Sequence, residues 1–223
     1  MPPVPIAVLA SGRGSNLQAL QEALTGDVPG RIAVVISDRR EAGALERART
    51  AGIAAEQVKA DGSEAEALLA LLRQHRIGLV VLAGYLKRVP EPVVAAFRGL
   101  IVNVHPALLP AFGGPGMYGR HVHEAVLASG ARVTGATVHL VDEQYDHGAI
   151  LAQWPVPVRA GDTPESLAAR VLEVEHRLLP AVVTLCCRRI AQGSPGDLVV
   201  GFSDGTFTLS STPVDYRHAL VPA

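Results

Sequence analysis

The chain has 223 residues, a formal net charge of −1, 48% hydrophobic residues and only 4% aromatics. That length suits one large domain whose core is built mainly from Ala, Val, Leu and Ile. The near-neutral balance supplies no global basic field, which argues against a nucleic-acid partner.

In chain order, residues 5–10 form an apolar run that reads as a first buried strand. A loop, Ser11-Gly12-Arg13-Gly14-Ser15-Asn16, leads into an amphipathic helix at 17–24, and Ser15 and Gln18 match the capping-box spacing. Two glycines let backbone N–H groups converge, and the helix N-terminus adds positive potential, the usual construction of a phosphate site. No Gly-Lys-Ser/Thr follows, and Leu17 stands where a dinucleotide fingerprint needs its third glycine. The loop therefore reads as a monophosphate site first, a plain capped turn second and a dinucleotide site third.

A second strand is expected at 31–37, a helix at 42–51, a short strand at 54–58, a helix from Ser63 to about His75 and a fully apolar strand at 78–83. The loop 84–90, which holds Leu86, Lys87, Arg88 and Val89, follows that strand and precedes a helix at 91–97. Strands alternating with helices predict an α/β fold with a doubly wound, mostly parallel sheet.

Residues 100–105 form the next strand, interrupted by Asn103 and His105. Period-2 geometry puts both on one face, and Pro106 ends the ladder just beyond them. Ligands of open α/β sheets bind at that carboxyl edge. An amide and an imidazole there suit stabilisation of a developing oxyanion. A glycine-rich loop at 111–120 precedes His121-x-His123 and a helix at 124–130. Without a Cys or carboxylate to complete a ligand set, these histidines make a weak zinc motif, and no metal is expected.

Residues 133–141 and 149–158 form a hairpin with an acidic connection. His139 either points at a site or packs, and Asp146 is either a solvated turn residue or a carboxylate aimed at His105. Thr163-Pro164 starts a long helix that contains Glu175, Pro180 and the adjacent Cys186 and Cys187. Neighbouring cysteines rarely form a disulfide, so both are expected as free thiols in a reducing cytoplasm. The chain is expected to be cytoplasmic, since it shows no basic signal segment and no apolar run of membrane-spanning length. A second hairpin at 198–209 and a tail complete the expected layout, 1–192 as the domain and 193–223 packed on it.

Taken together, Asn103-x-His105-Pro-x-Leu-Leu-Pro110, Thr134-Gly-x-Thr-Val-His139, Val141-Asp-Glu-x-x-Asp146-x-Gly148 and the loop ending Gly14-Ser15-Asn16 resemble the formyltransferase superfamily. The N-terminal loop is similar, more narrowly, to that of the phosphoribosylglycinamide formyltransferases. The resemblance implies a Rossmann-like domain with an antiparallel C-terminal portion. It implies formyl transfer from the cosubstrate 10-formyltetrahydrofolate to glycinamide ribonucleotide in purine biosynthesis. Asn103, His105 and Asp146 would be catalytic, with Asp146 holding His105 charged. Gly14, Ser15, Asn16 and Glu175 would bind the ribonucleotide. Leu86, Lys87, Arg88, Val89, Val141, Asp142 and Asp146 would hold the folate. Leu109-Pro110 resembles a family cis peptide. Partners would be small molecules, in a monomer or homodimer. Formyltetrahydrofolate hydrolysis is the nearest alternative, methionyl-tRNA formylation would want an RNA-binding domain, and a nucleotide-binding module without catalysis would have no use for Asn103 beside His105.

Overall fold

In the computed structural model, which describes residues 2–59 and 62–193, the helices flank a seven-stranded sheet of order β3-β2-β1-β4-β5-β6-β7. Strands β1 (Val4–Leu9), β2 (Gly30–Ser37), β3 (Ala54–Gln57), β4 (Leu79–Leu82) and β5 (Ile101–His105) run parallel. Strands β6 (Val133–Leu140) and β7 (Ile150–Pro157) complete the sheet antiparallel. The fold is the mixed, doubly wound sheet that the alternating pattern predicts. The expected hairpin at 198–209 and the tail lie outside the described residues.

The central strands are apolar because both faces are covered. All four residues of β4 are buried, and so are Ile6, Ala7, Val8 and Leu9 of β1. Helices α1 (Ser15–Ala23), α2 (Gly43–Thr50) and α6 (Pro164–Ala191) put Leu17, Ala44, Leu178 and Val182 into one core cluster. Helices α3 (Glu64–Gln74) and α4 (Glu91–Ala96) put Leu68, Leu72, Val93 and Val94 into the other.

Two expected features of local structure differ. Helix α1 starts at Ser15 with Gly14 as its N-cap in the left-handed region, and no side chain caps it. Gln18 instead bonds Glu22 and receives Arg47 Nη1. A glycine N-cap spares the first-turn N–H groups from a side-chain partner, so they stay available. Helix α5 (Arg120–Ala128) starts before the expected residue 124 and takes in both His121 and His123. By contrast Thr163 caps α6 as expected, in a reciprocal pair with Ser166. Leu109-Pro110 is cis, and Cys186 and Cys187 are free and buried. No helix among the described residues is long and apolar enough to cross a membrane.

Candidate active site

A cavity of about 700 Å³ lies along the carboxyl edge of β1, β4 and β5. Its position follows from the strand order, because chain connections diverge on either side of the β1–β4 pair and leave a crevice there. The volume suits a small-molecule ligand. All the residues that the resemblance assigns to catalysis or ligand binding line it, from Gly14, Ser15, Asn16 and Glu175 to Asn103, His105, 86–89, Val141, Asp142 and Asp146.

At one end, Gly14 turns the chain from β1 into α1 with φ 78°. A Cβ there would lie 2.8 Å from the Ala44 backbone, so only glycine fits the close approach of α2. Arg47 braces the turn, its Nε donating to the Arg13 carbonyl at 2.9 Å. Asn16 is buried and donates from Nδ2 to Glu175 Oε2 on α6 at 2.7 Å. Its Oδ1 is buried without a partner, a cost that a donating ligand would relieve. Burial pushes the Glu175 carboxyl up to about 7, against the pull of the Asn16 amide. Ser11 stitches this end to the next. Its N–H donates to the Gly84 carbonyl, its hydroxyl donates to Asp38 at 2.5 Å and accepts from Leu86 N–H at 2.9 Å.

At the centre, His105 closes β5 and is buried. Its Nε2 lies 2.8 Å from the Phe112 carbonyl. A carbonyl only accepts, so Nε2 carries a proton, and Nδ1 is left as the titrating nitrogen. Nδ1 faces Asp146 Oδ2 at 3.6 Å. Burial lowers the proton affinity of His105, and Asp146 and the Phe112 carbonyl only partly offset it. Asp146 thus acts in the direction expected of it, raising the proton affinity of His105, while desolvation is the larger effect. The Asp146 carboxyl is itself held below the usual range: burial opposes ionisation, but His139, His105 and the Gly114 N–H outweigh it.

Asn103 lies beside this pair and is half-buried. Its Nδ2 is 3.1 Å from His139 Nε2. His139 Nδ1 donates to the Leu140 carbonyl at 2.8 Å, which leaves Nε2 to face the amide and, at 3.7 Å, Asp146 Oδ1. With one amide N–H of Asn103 directed at this ring, the second is left for a ligand. The glycine-rich loop fits around Asp146, with Gly114 N–H donating to its Oδ2 at 2.9 Å. At Gly113 a Cβ would meet Leu109 Cδ2 at 2.5 Å and Asp146 Cβ at 3.1 Å.

At the other end, Leu86, Tyr118 and Tyr145 stay exposed while lining the cavity. The Arg88 guanidinium is engaged by Glu91 at 3.0 Å and by the Glu143 carbonyl at 2.6 Å, so it ties the 84–90 loop to the 141–146 loop. Val89 is buried in the apolar cluster beneath that loop. Asp142 accepts from Gln144 N–H and pairs with His147.

The family described as formyl transferase matches residues 4–183. The chain belongs to the formyl transferase family. A chloroplastic phosphoribosylglycinamide formyltransferase of Arabidopsis thaliana is 47% identical over 189 residues, covering 82% of this chain and 65% of the relative. The chain thus spans slightly under two thirds of that relative's length. The phosphoribosylglycinamide formyltransferase of Mycobacterium tuberculosis (strain H37Rv) is 45% identical over 186 residues, 81% of this chain and 84% of that one. Among solved structures, the phosphoribosylglycinamide formyltransferase of Anaplasma phagocytophilum superposes with a TM-score of 0.78 at 39% identity, over 83% of this chain and 87% of that one.

Within this site, sequence reading missed Ser11, which sits in a loop read only for its glycines, and left His139 open and His123 in a weak zinc motif. His139 pairs with the amide of Asn103, and the register places it directly opposite Asn103 on β6. Alternation along 133–141 could have put it on the cavity face, had the register been known. His123 is buried and lines the cavity, whereas His121 is exposed and pairs with Glu124. The one-turn earlier start of α5 decides which of the two faces inward. Among the described residues, no group of His, Cys, Asp and Glu is arranged to hold a metal ion.

Proposed function

We propose that this formyl transferase moves the formyl group of 10-formyltetrahydrofolate to the amine of glycinamide ribonucleotide, a step of purine biosynthesis. The observation that carries the reading is one cavity with an anion-suited helix start at one end, an exposed apolar rim at the other, and Asn103, His105 and Asp146 between them. Relatives of nearly half identity that bear the phosphoribosylglycinamide formyltransferase name support it.

In this reading the ribonucleotide phosphate takes the first-turn N–H groups of α1 around Gly14, Ser15 and Asn16, where the helix dipole adds to the attraction. The ribose hydroxyls meet Glu175 and the unpartnered Asn16 Oδ1. The folate lies between the loops of 86–89 and 141–146, with Leu86, Lys87 and Val141 against it. Arg88 holds the two loops together, and Val89 and Asp142 support them from below and beside.

The neutral amine attacks the formyl carbon, so a C–N bond forms and the carbonyl oxygen becomes an oxyanion. The free N–H of Asn103 donates to that oxyanion, an interaction worth roughly 3–4 kcal/mol in such sites. The new ammonium gives up a proton to His105 Nδ1, where Asp146 stabilises the imidazolium. The same proton goes to the folate nitrogen as its C–N bond breaks, which leaves atoms and charge balanced. A low proton affinity in the free site suits this task, since an acceptor must start neutral. Holding both substrates in one cavity supplies the rest of the rate, up to about 7–11 kcal/mol in favourable cases.

The test mixes purified protein with 10-formyltetrahydrofolate and follows folate absorbance with and without glycinamide ribonucleotide. Turnover that requires the ribonucleotide is expected. Equal turnover in its absence would mean that water is the acceptor, and the proposed transfer would be wrong.

A further inference from the structure

The proposed chemistry of the centre leaves one buried imidazole unused. His123 lies in the first turn of α5 and is 4% exposed. It lines the same cavity as His105. Its Nδ1 is buried with no hydrogen-bond partner. Most buried polar groups are paired, and an unpaired one costs about 1–3 kcal/mol. A fold keeps such a group where something else completes it.

Position says which ligand this is. Helix α5 packs against α6, and Arg120 at its start pairs with Glu165 of α6 at 2.6 Å. Helix α6 also carries Glu175. His123 thus stands on a helix packed against the one that carries Glu175. It is also near enough to His105 for a charge there to disfavour a proton on the His123 ring. Burial and then His105 lower its proton affinity, which favours the neutral ring, with one nitrogen to donate and one to accept. The phosphate and ribose have Gly14–Asn16 and Glu175. What remains between Glu175 and His105 is the arm that carries the attacking nitrogen.

We infer that His123 is a further substrate-binding residue, a neutral imidazole that hydrogen-bonds the amide or amine of the acceptor's glycinamide arm and aims the amine at the formyl carbon. The inference rests on the proposed acceptor.

The experiment measures calorimetric affinity for glycinamide ribonucleotide and for ribose 5-phosphate, which lacks the arm, in the wild type, His123→Ala and His123→Asn. KM for both substrates and thermal melting are followed alongside. Expected is a roughly tenfold loss of affinity for the ribonucleotide in His123→Ala, the value of one hydrogen bond, with partial rescue in His123→Asn. Ribose 5-phosphate affinity and the KM for 10-formyltetrahydrofolate stay within about twofold. Equal weakening of both phosphorylated ligands, unchanged ribonucleotide affinity, or a loss that follows the loss of folded protein would each overturn the inference. A wild type that binds no ribonucleotide would instead remove the proposed function on which it stands.

Discussion

His105 Nδ1 stands 3.6 Å from Asp146 Oδ2, while its Nε2 is committed to the Phe112 carbonyl. The pair therefore has one place for an incoming proton, the nitrogen that faces the carboxylate. In the proposed transfer Asn103 therefore donates to the oxyanion and His105, expected from the sequence as a second donor, takes the proton.

Asp146→Asn is expected to lower kcat by roughly 10²–10⁴-fold, the usual range for a lost acid–base partner, with ribonucleotide affinity retained. The pH profile supplies a second readout. An acceptor must be neutral, so kcat/KM falls as pH drops through the His105 pKa, which already lies below the ordinary 6.5. Asp146 raises that value, so the substitution moves the acid limb to still lower pH. A limb that moves upward would assign it to another group.

Asn103→Ala should cost roughly 10²–10³-fold in kcat, the effect of removing one oxyanion donor. KM for either substrate changes little, since the interaction develops with the oxyanion. Steady-state kinetics decide it: a rise in KM at constant kcat would make Asn103 a ground-state contact.

Glu175 makes stability depend on pH. Its carboxyl titrates at about 7 in the fold against 4.5 ordinarily. A raised carboxyl stabilises fully below the unfolded value and loses that contribution as pH rises through the folded one, here from 4.5 to beyond 7. The span is about 3 kcal/mol at most, at roughly 1.4 kcal/mol for each pH unit. Melting temperatures of wild type and Glu175→Gln between these pH values should diverge, the wild type falling more steeply. Parallel curves would show that Glu175 ionises without cost.

Gly113→Ala places a methyl 2.5 Å from Leu109 Cδ2 and 3.1 Å from Asp146 Cβ. Leu109 can shift but Asp146 loses its aim. The expected result is a kcat loss of about tenfold or more with modest loss of thermal stability. Unchanged kcat at lowered stability would assign Gly113 to packing alone.

The doubly wound, mostly parallel sheet was legible because β1 and β4 are apolar runs alternating with helical segments, the pattern of strands covered on both faces. Asn103 and His105 were legible as a pair because Pro106 fixes where the strand ends. Asp146 was harder. It lies in an acidic turn where a solvated role is equally compatible with spacing, and its backbone is in the left-handed region at φ 52°. Only the resemblance joined it to His105. The tautomer of His105 was not legible at all, since it depends on a carbonyl that a tight loop brings back to the ring. His123 was hidden for a related reason: a shift of one helical turn reverses which of two nearby histidines faces inward, and glycine-rich sequence carries no periodicity to fix the start.

The Ser11 hydroxyl, in the turn after β1, bonds the turns that follow β2 and β4, so tightening any one of them restrains the others. In the proposed transfer the two ligand seats would then share part of their ordering cost: the first ligand to settle would meet it, and the second would arrive at a seat already stiffened. Such coupling would be reciprocal by thermodynamic necessity.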